Sequence, residues 1–333
     1  METTLLSSLP SRVICLGEML NDCLANQLEQ SLESVSSWTK YPGGAPANVA
    51  CALVKLGIPT AFVGCFSKDS QGSELLQLLE DIGVNTQEIQ RSLQFPTREI
   101  YVLRSLKGDR HFAGFGGQAP DRFADAYLHS RQLSERLFID AEYLVIGTLE
   151  LAYPQSREAV FKALELAEKY YLRVVLDVNH REQFWLDPTE AKPSIEQLWQ
   201  YIDFLKLAKE EALWLFDTCD AGAICYGLNS VEGVIVTDGA AEVSYCISEQ
   251  EGKVKPFALP TIDTTGAGDA FVAGFIYQLL QKKLSSFTDP DIVREVITYA
   301  CVVGGLTVTQ EGAIAAQPTL EEAEAFFLAN FLH

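Results

Sequence analysis

From Asp263 to Phe271 the chain reads Asp-Thr-Thr-Gly-Ala-Gly-Asp-Ala-Phe, placing two glycines, two threonines and two aspartates where an apolar run begins a helix. Small residues at 266–268 let backbone N–H groups face outward at a helix N-terminus, where unpaired donors and the positive dipole end favour an anion. Asp269 stands beside that anion. A carboxylate so placed can take a proton from an attacking hydroxyl while the N–H groups of Gly266, Ala267, Gly268 and Asp269 hold developing phosphoryl charge. The purely structural alternative is an N-cap supplied by Asp263 or Thr264. The stretch is not a dinucleotide fingerprint, because its third glycine would fall at Phe271, and no GxxxxGK occurs to make a P-loop.

The elements that must carry these residues follow from periodicity. Val13 to Leu16, Ala61 to Val63, Tyr143 to Ile146, Val174 to Leu176, Phe204 to Lys206 and Val234 to Val236 are short apolar runs with strand character. Asn48 to Leu56, Ser73 to Ile82, Pro154 to Tyr170, Ala270 to Leu280 and Asp291 to Leu306 show helical spacing, with Gly57 and Gly83 as stops. Such alternation predicts an α/β fold with a mainly parallel sheet, helices on both faces, and ligands at the carboxyl ends of the strands. Two polar, β-leaning segments, about 24–40 and 98–115, fall outside it.

With 333 residues, 48% of them hydrophobic, the chain can bury a large core. A net charge of −20 argues against nucleic acid or an anionic membrane as partner, though not against a nucleotide, whose phosphates need only local donors. Eight cysteines without CxxC spacing argue against zinc. Together with the lack of a basic leader or a long apolar run, they lead to the expectation of a reducing, cytoplasmic setting.

The Asp263–Phe271 stretch resembles the C-terminal signature of the PfkB (ribokinase-like) carbohydrate kinases. Tyr41-Pro42-Gly43-Gly44-Ala45-Pro46-Ala47-Asn48 resembles that family's N-terminal glycine signature. Gly17-Glu18 with Asp22, then Leu56-Gly57, Gly64, Asp69, Gly72 and Val236-Thr237-Asp238-Gly239, follow in family order. The Gly-Gly-Ala-Pro-Ala-Asn form is most similar to fructokinases. The resemblance implies one kinase domain over residues 12–330, a ribokinase-like three-layer sandwich whose two outlying segments form a small β-sheet lid over the sugar. A homodimer through that lid is compatible with it.

For the site, the resemblance implies ATP, Mg2+ and K+ as cofactors and assigns roles residue by residue. Asp269 is the base beside the anion hole of Gly266, Ala267 and Gly268. Asp22, Gly43, Gly44, Asn48, Asn179 and Arg181 meet the sugar, which suits carboxylates and amides facing neutral hydroxyls. Asp177, Lys206, Thr237, Gly239, Gly268 and Cys301 lie along the nucleotide. Glu211 serves Mg2+, and Asp263, Thr265 and the Gly312 loop hold the monovalent cation. Departures from the pattern are Ala208 for Asn or Ser, Cys301 for a frequent Asn near the adenine, and Gly116 where relatives carry an arginine close to the sugar; Arg98 and Arg104 are candidate substitutes. Gly108-Asp109-Arg110-His111-Phe112 resembles a lid hairpin, and His180 is expected to be solvated. The expected reaction is ATP-dependent phosphorylation of a sugar, with fructose as first choice and 2-keto-3-deoxygluconate or ribose as alternatives. A non-catalytic kinase-like interaction protein is the alternative from another class.

Overall fold

The computed structural model describes residues 10–105 and 110–331, so Gly108 and Asp109 of the expected lid hairpin lie outside the described residues. Eight strands form the main sheet: β1 (Val13–Leu16), β4 (Thr60–Val63), β9 (Tyr143–Ile146), β10 (Arg173–Asp177), β11 (Phe204–Ala208), β12 (Gly233–Thr237), β13 (Val243–Ile247) and β14 (Gln250–Val254). Their order is β14-β13-β12-β11-β10-β9-β1-β4, parallel from β12 to β4 and antiparallel at the β13 and β14 edge.

Both faces of the sheet are covered, which explains why its strands read as unbroken apolar runs. The pleat sends Val13 and Cys15 of β1 into one core, with the helices Ala45–Lys55, Ala267–Gln281 and Pro290–Thr307. Ile14 and Leu16 enter the opposite core, with the helix Pro154–Tyr170. Fully burying one such side chain stabilises by about 1.5–3 kcal/mol. The sheet is thereby a rigid platform from which residues at its strand ends project.

The second sheet has the order β3-β2-β7-β8, built from β2 (Leu20–Ala25), β3 (Trp38–Gly43), β7 (Glu99–Arg104) and β8 (Arg110–Gly114). It covers the expected lid region but begins at Leu20 and reaches Gly43, so the lid flows directly into the glycine turn at Gly43-Gly44. Strand β2 lies parallel to β7, joining the two lid segments through Asn21↔Glu99 to Leu24↔Val102. Two short strands, β5 (Cys65–Ser67) and β6 (Gln90–Ser92), pair in parallel as a separate two-stranded sheet. No helix among the described residues is long and apolar enough to cross a membrane.

Candidate active site

A cavity of about 930 Å3 runs from the lid to the far edge of the main sheet, at the carboxyl ends of its parallel strands. Its lid end is walled by Glu18, Asp22, Gly44, Asn48, Asn179 and Arg181. Gly266, Ala267, Gly268 and Asp269 line its middle, and Thr237, Gly239, Phe257 and Cys301 its other end. Of the sugar, phosphoryl and nucleotide residues expected from sequence, all but Gly43 and Asp177 line this one space.

Asp269 sits in the first turn of the helix Ala267–Gln281, whose N-cap is Gly266 at φ 79°; Asp263 and Thr264 do not cap it. A β-carbon at Gly266 would stand 2.8 Å from the Ala313 Cβ, so both conformation and space call for glycine. The Asp269 carboxylate is buried and accepts a hydrogen bond from Asn48 Nδ2 at 2.8 Å. Asn48 is likewise not a cap, because the helix begins at Ala45 behind Gly44, which has φ 116°. Burial pushes the Asp269 pKa up to about 6, with the charge of Asp177 adding and the Asn48 bond, Lys206 and Arg181 opposing. A carboxyl tuned to that value is ionised at neutral pH yet basic enough to accept a hydroxyl proton.

Lys206, in the middle of β11, donates to both oxygens of Asp177, at the end of β10, at 3.0 and 3.2 Å. Burial works against its charge, but Asp177 and Glu211 outweigh it and raise the lysine pKa. A β-carbon on Gly268 would lie 3.1 Å from Lys206 Nζ, so the ammonium stands directly over the anion-hole turn. Lys206 lines the cavity, whereas Asp177 lies behind it as the lysine's partner. Glu211 lines the cavity too; its oxygens accept from the backbone N–H groups of His180 at 2.6 Å and Ala208 at 2.7 Å, and burial raises its pKa, with Asp177 adding. The Ala208 substitution thus removes a side chain but leaves the backbone donor that orients Glu211.

Asp263 ties two chain segments. Its Oδ1 accepts from Thr265 N and Oγ1 at 3.0 and 2.7 Å, and its Oδ2 accepts from Gly312 N at 3.1 Å. The three residues expected at a monovalent cation are therefore brought together beside the anion-hole turn. Gly43 packs on Asp22, whose Oδ2 would lie 3.0 Å from a β-carbon there.

Three expectations are corrected. Arg98 is buried and gives Nε and Nη2 to Asp125 at 2.5 and 2.8 Å, and Arg104 Nε donates to the Ala25 carbonyl at 2.8 Å. Neither replaces the arginine missing at Gly116, and Arg181 is the one arginine among the described lining residues. His180 is not simply solvated: its ring stacks on Trp214, centroids 4.4 Å apart, and burial lowers its pKa, with the Arg181 charge adding. Sequence reasoning left out Glu18 as a site residue, though it lines the cavity. A charged residue directly after an apolar strand end, as at Glu18, was the available signal.

Comparison with known proteins bears on the family and the fold. The family described as pfkB family carbohydrate kinase matches residues 10–320. Fructokinase-2 of Oryza sativa subsp. japonica is 31% identical over 318 residues, covering 95% of this chain and 93% of the relative. The fructokinase of Xylella fastidiosa with bound ATP superposes with a TM-score of 0.87 at 28% identity, over 98% of this chain and all of the other. A fructokinase double mutant of Vibrio cholerae O395 in a fructose-, ADP- and potassium-bound form gives a TM-score of 0.82 at 27% identity, over 96% and 98% of the two chains. The main sheet with its helices and the small lid sheet form the ribokinase-like sandwich, and the chain belongs to the pfkB family of carbohydrate kinases.

Proposed function

We propose that this carbohydrate kinase transfers the γ-phosphoryl group of ATP to the 6-hydroxyl of D-fructose. The observation that carries the reading is the 2.8 Å bond from Asn48 to Asp269 within one cavity, which joins the hydroxyl-recognising wall to the base and its anion hole. In this reading Asp22, Gly44, Asn48, Asn179 and Arg181 orient the sugar, and Asp269 accepts the proton of the attacking hydroxyl. The N–H groups of the Gly266–Asp269 turn, with Lys206 beside them, hold charge on the transferring group. Thr237, Gly239 and Cys301 line the nucleotide end. A scaffold without catalysis would need neither the buried base nor the lysine poised at Gly268.

Fructose is favoured over an acidic sugar because carboxylates dominate the acceptor end and Arg98 and Arg104 are engaged elsewhere. The fructose-bound relative supports the same choice. Among the described residues no group of three or more His, Cys, Asp or Glu side chains suits direct metal binding, so Glu211 would hold Mg2+ through water and in company with nucleotide phosphates. When bound, Mg2+ neutralises charge on those phosphates. Asp263, Thr265 and Gly312 would hold K+. A cytoplasmic setting and a homodimer through the lid belong to the same reading. The test is a coupled ADP-release assay over fructose, ribose, 2-keto-3-deoxygluconate and adenosine: fructose should give the highest kcat/KM, and a higher value for another acceptor overturns the substrate assignment.

A further inference from the structure

Behind the acceptor pocket, where β1 leads into β2, a set of ionisable side chains meets away from solvent: Glu18, Glu150, Asp125, Arg98 and Tyr153 are each at most 4% exposed. Arg98 is committed to Asp125 through Nε and Nη2, and its guanidinium lies within 5.4 Å of the ring centres of Phe115, Phe123, Tyr153 and Phe184. The third guanidinium nitrogen, Nη1, is buried without a hydrogen-bond partner. Glu18 Oε1 accepts the Ala45 N–H at 2.8 Å, while Glu18 Oε2 and both carboxyl oxygens of Glu150 are buried without a hydrogen-bond partner. Glu150 Oε2 abuts the end of β1, 3.2 Å from where a β-carbon on Gly17 would stand. Two ionised glutamates here would bring like charges together in an apolar shell: Glu18 faces Asp125 and Asp269, both acidic, and Glu150 faces Glu18 and Asp125, with Arg98 as the opposing charge that burial outweighs.

We propose that Glu150 is a positioning residue that keeps a proton, donates it in a hydrogen bond to Glu18 Oε2, and so holds Glu18 Oε1 on the Ala45 N–H that fixes the sugar-side turn from Gly43 to Asn48. The inference rests on the sugar-kinase reading for its functional consequence. Burial drives both groups upward: Glu150 goes well above the carboxylate range, with the Glu18 charge adding, and Glu18 reaches about 7. In mildly alkaline solution the pair therefore carries one proton, held on Glu150. Acidification through pH 7 protonates Glu18 as well and weakens its grip on Ala45, so sugar affinity falls.

Two measurements decide it. The first needs no sugar: unfolding free energy is followed between pH 5 and 8 for the wild type and Glu150→Gln. A group with a raised folded pKa contributes stability that is present below its unfolded pKa and lost as pH rises towards its folded pKa. Each retained proton therefore lowers the folded-to-unfolded ratio about tenfold per pH unit across that window. Glu150→Gln should remove about one such tenfold step per unit, and equal slopes in the two proteins would overturn the proposal. The second is calorimetric binding of fructose without ATP at pH 6, 7 and 8. Wild-type affinity should weaken about tenfold from pH 8 to pH 6, and Glu18→Gln should flatten that dependence. Glu150→Leu should bind about tenfold more weakly than wild type at pH 8, with Glu150→Gln recovering most of the loss. A glutamine variant as weak as the leucine variant, or a pH-independent wild type, would contradict the shared proton. No fructose binding at any pH would refute the fructose assignment, and the stability slopes would still decide the proton.

Discussion

At the scale of the residue, the site depends on a carboxylate that is buried yet ionised at neutral pH. Asp269 has its pKa raised to about 6 by burial, so kcat at saturating fructose should fall tenfold per pH unit below about pH 6 as the base takes up a proton. A pH–rate profile flat down to pH 5 would be inconsistent with that role. Gly268→Val tests the anion hole, because its β-carbon would meet Lys206 Nζ at 3.1 Å and its bulk would intrude on the phosphoryl position. We expect kcat to drop by about two to three orders of magnitude in a variant whose melting curve still shows a folded protein. Asp269, Lys206 and Asn48 were all legible from residue type and motif. Their partnerships were not: Asn48 and Asp269 are 221 residues apart, and local pattern carries no information on which distant amide meets which carboxylate.

At the scale of the element, segments with a dense apolar period were the most legible. The strands Val13–Leu16 and Tyr143–Ile146 and the helix Pro154–Tyr170 appear with the expected bounds. Three helices instead start three residues earlier than their periodicity suggests, at Ala45, Ser70 and Ala267. Their first turns are Ala-Pro-Ala, Ser-Gln-Gly and Ala-Gly-Asp, small or polar residues that carry no apolar signal. The first and third also contribute residues to the cavity wall. Site-building residues thus blur the boundaries of the elements that bear them. The Asp263 turn, tied to Gly312, holds the chain entering the anion-hole helix. Potassium should therefore raise the rate above that in sodium at equal ionic strength, and Asp263→Ala should abolish the difference. Equal rates in the two salts would remove the cation from the account.

At the scale of the molecule, the parallel sheet gathers residues from β11, β12, the loop after β10 and the glycine-led helices at one edge, and the lid adds a further wall of the cavity. The overall alternation was legible because each strand is buried on both faces. The parallel pairing of β2 with β7 was not, since it joins segments almost eighty residues apart. Because Arg181 is the one arginine among the described lining residues, Arg181→Gln should affect an acidic acceptor more than a neutral one. We expect residual kcat/KM for 2-keto-3-deoxygluconate to fall at least tenfold further than that for fructose. A uniform loss across acceptors would place Arg181 on the phosphoryl donor instead. The most direct measurement of the whole account is the turnover of Asp269→Asn with fructose and ATP, paired with calorimetric fructose binding. The account predicts kcat lower by about two to four orders of magnitude with the fructose dissociation constant within about threefold of wild type; near-wild-type turnover would contradict it.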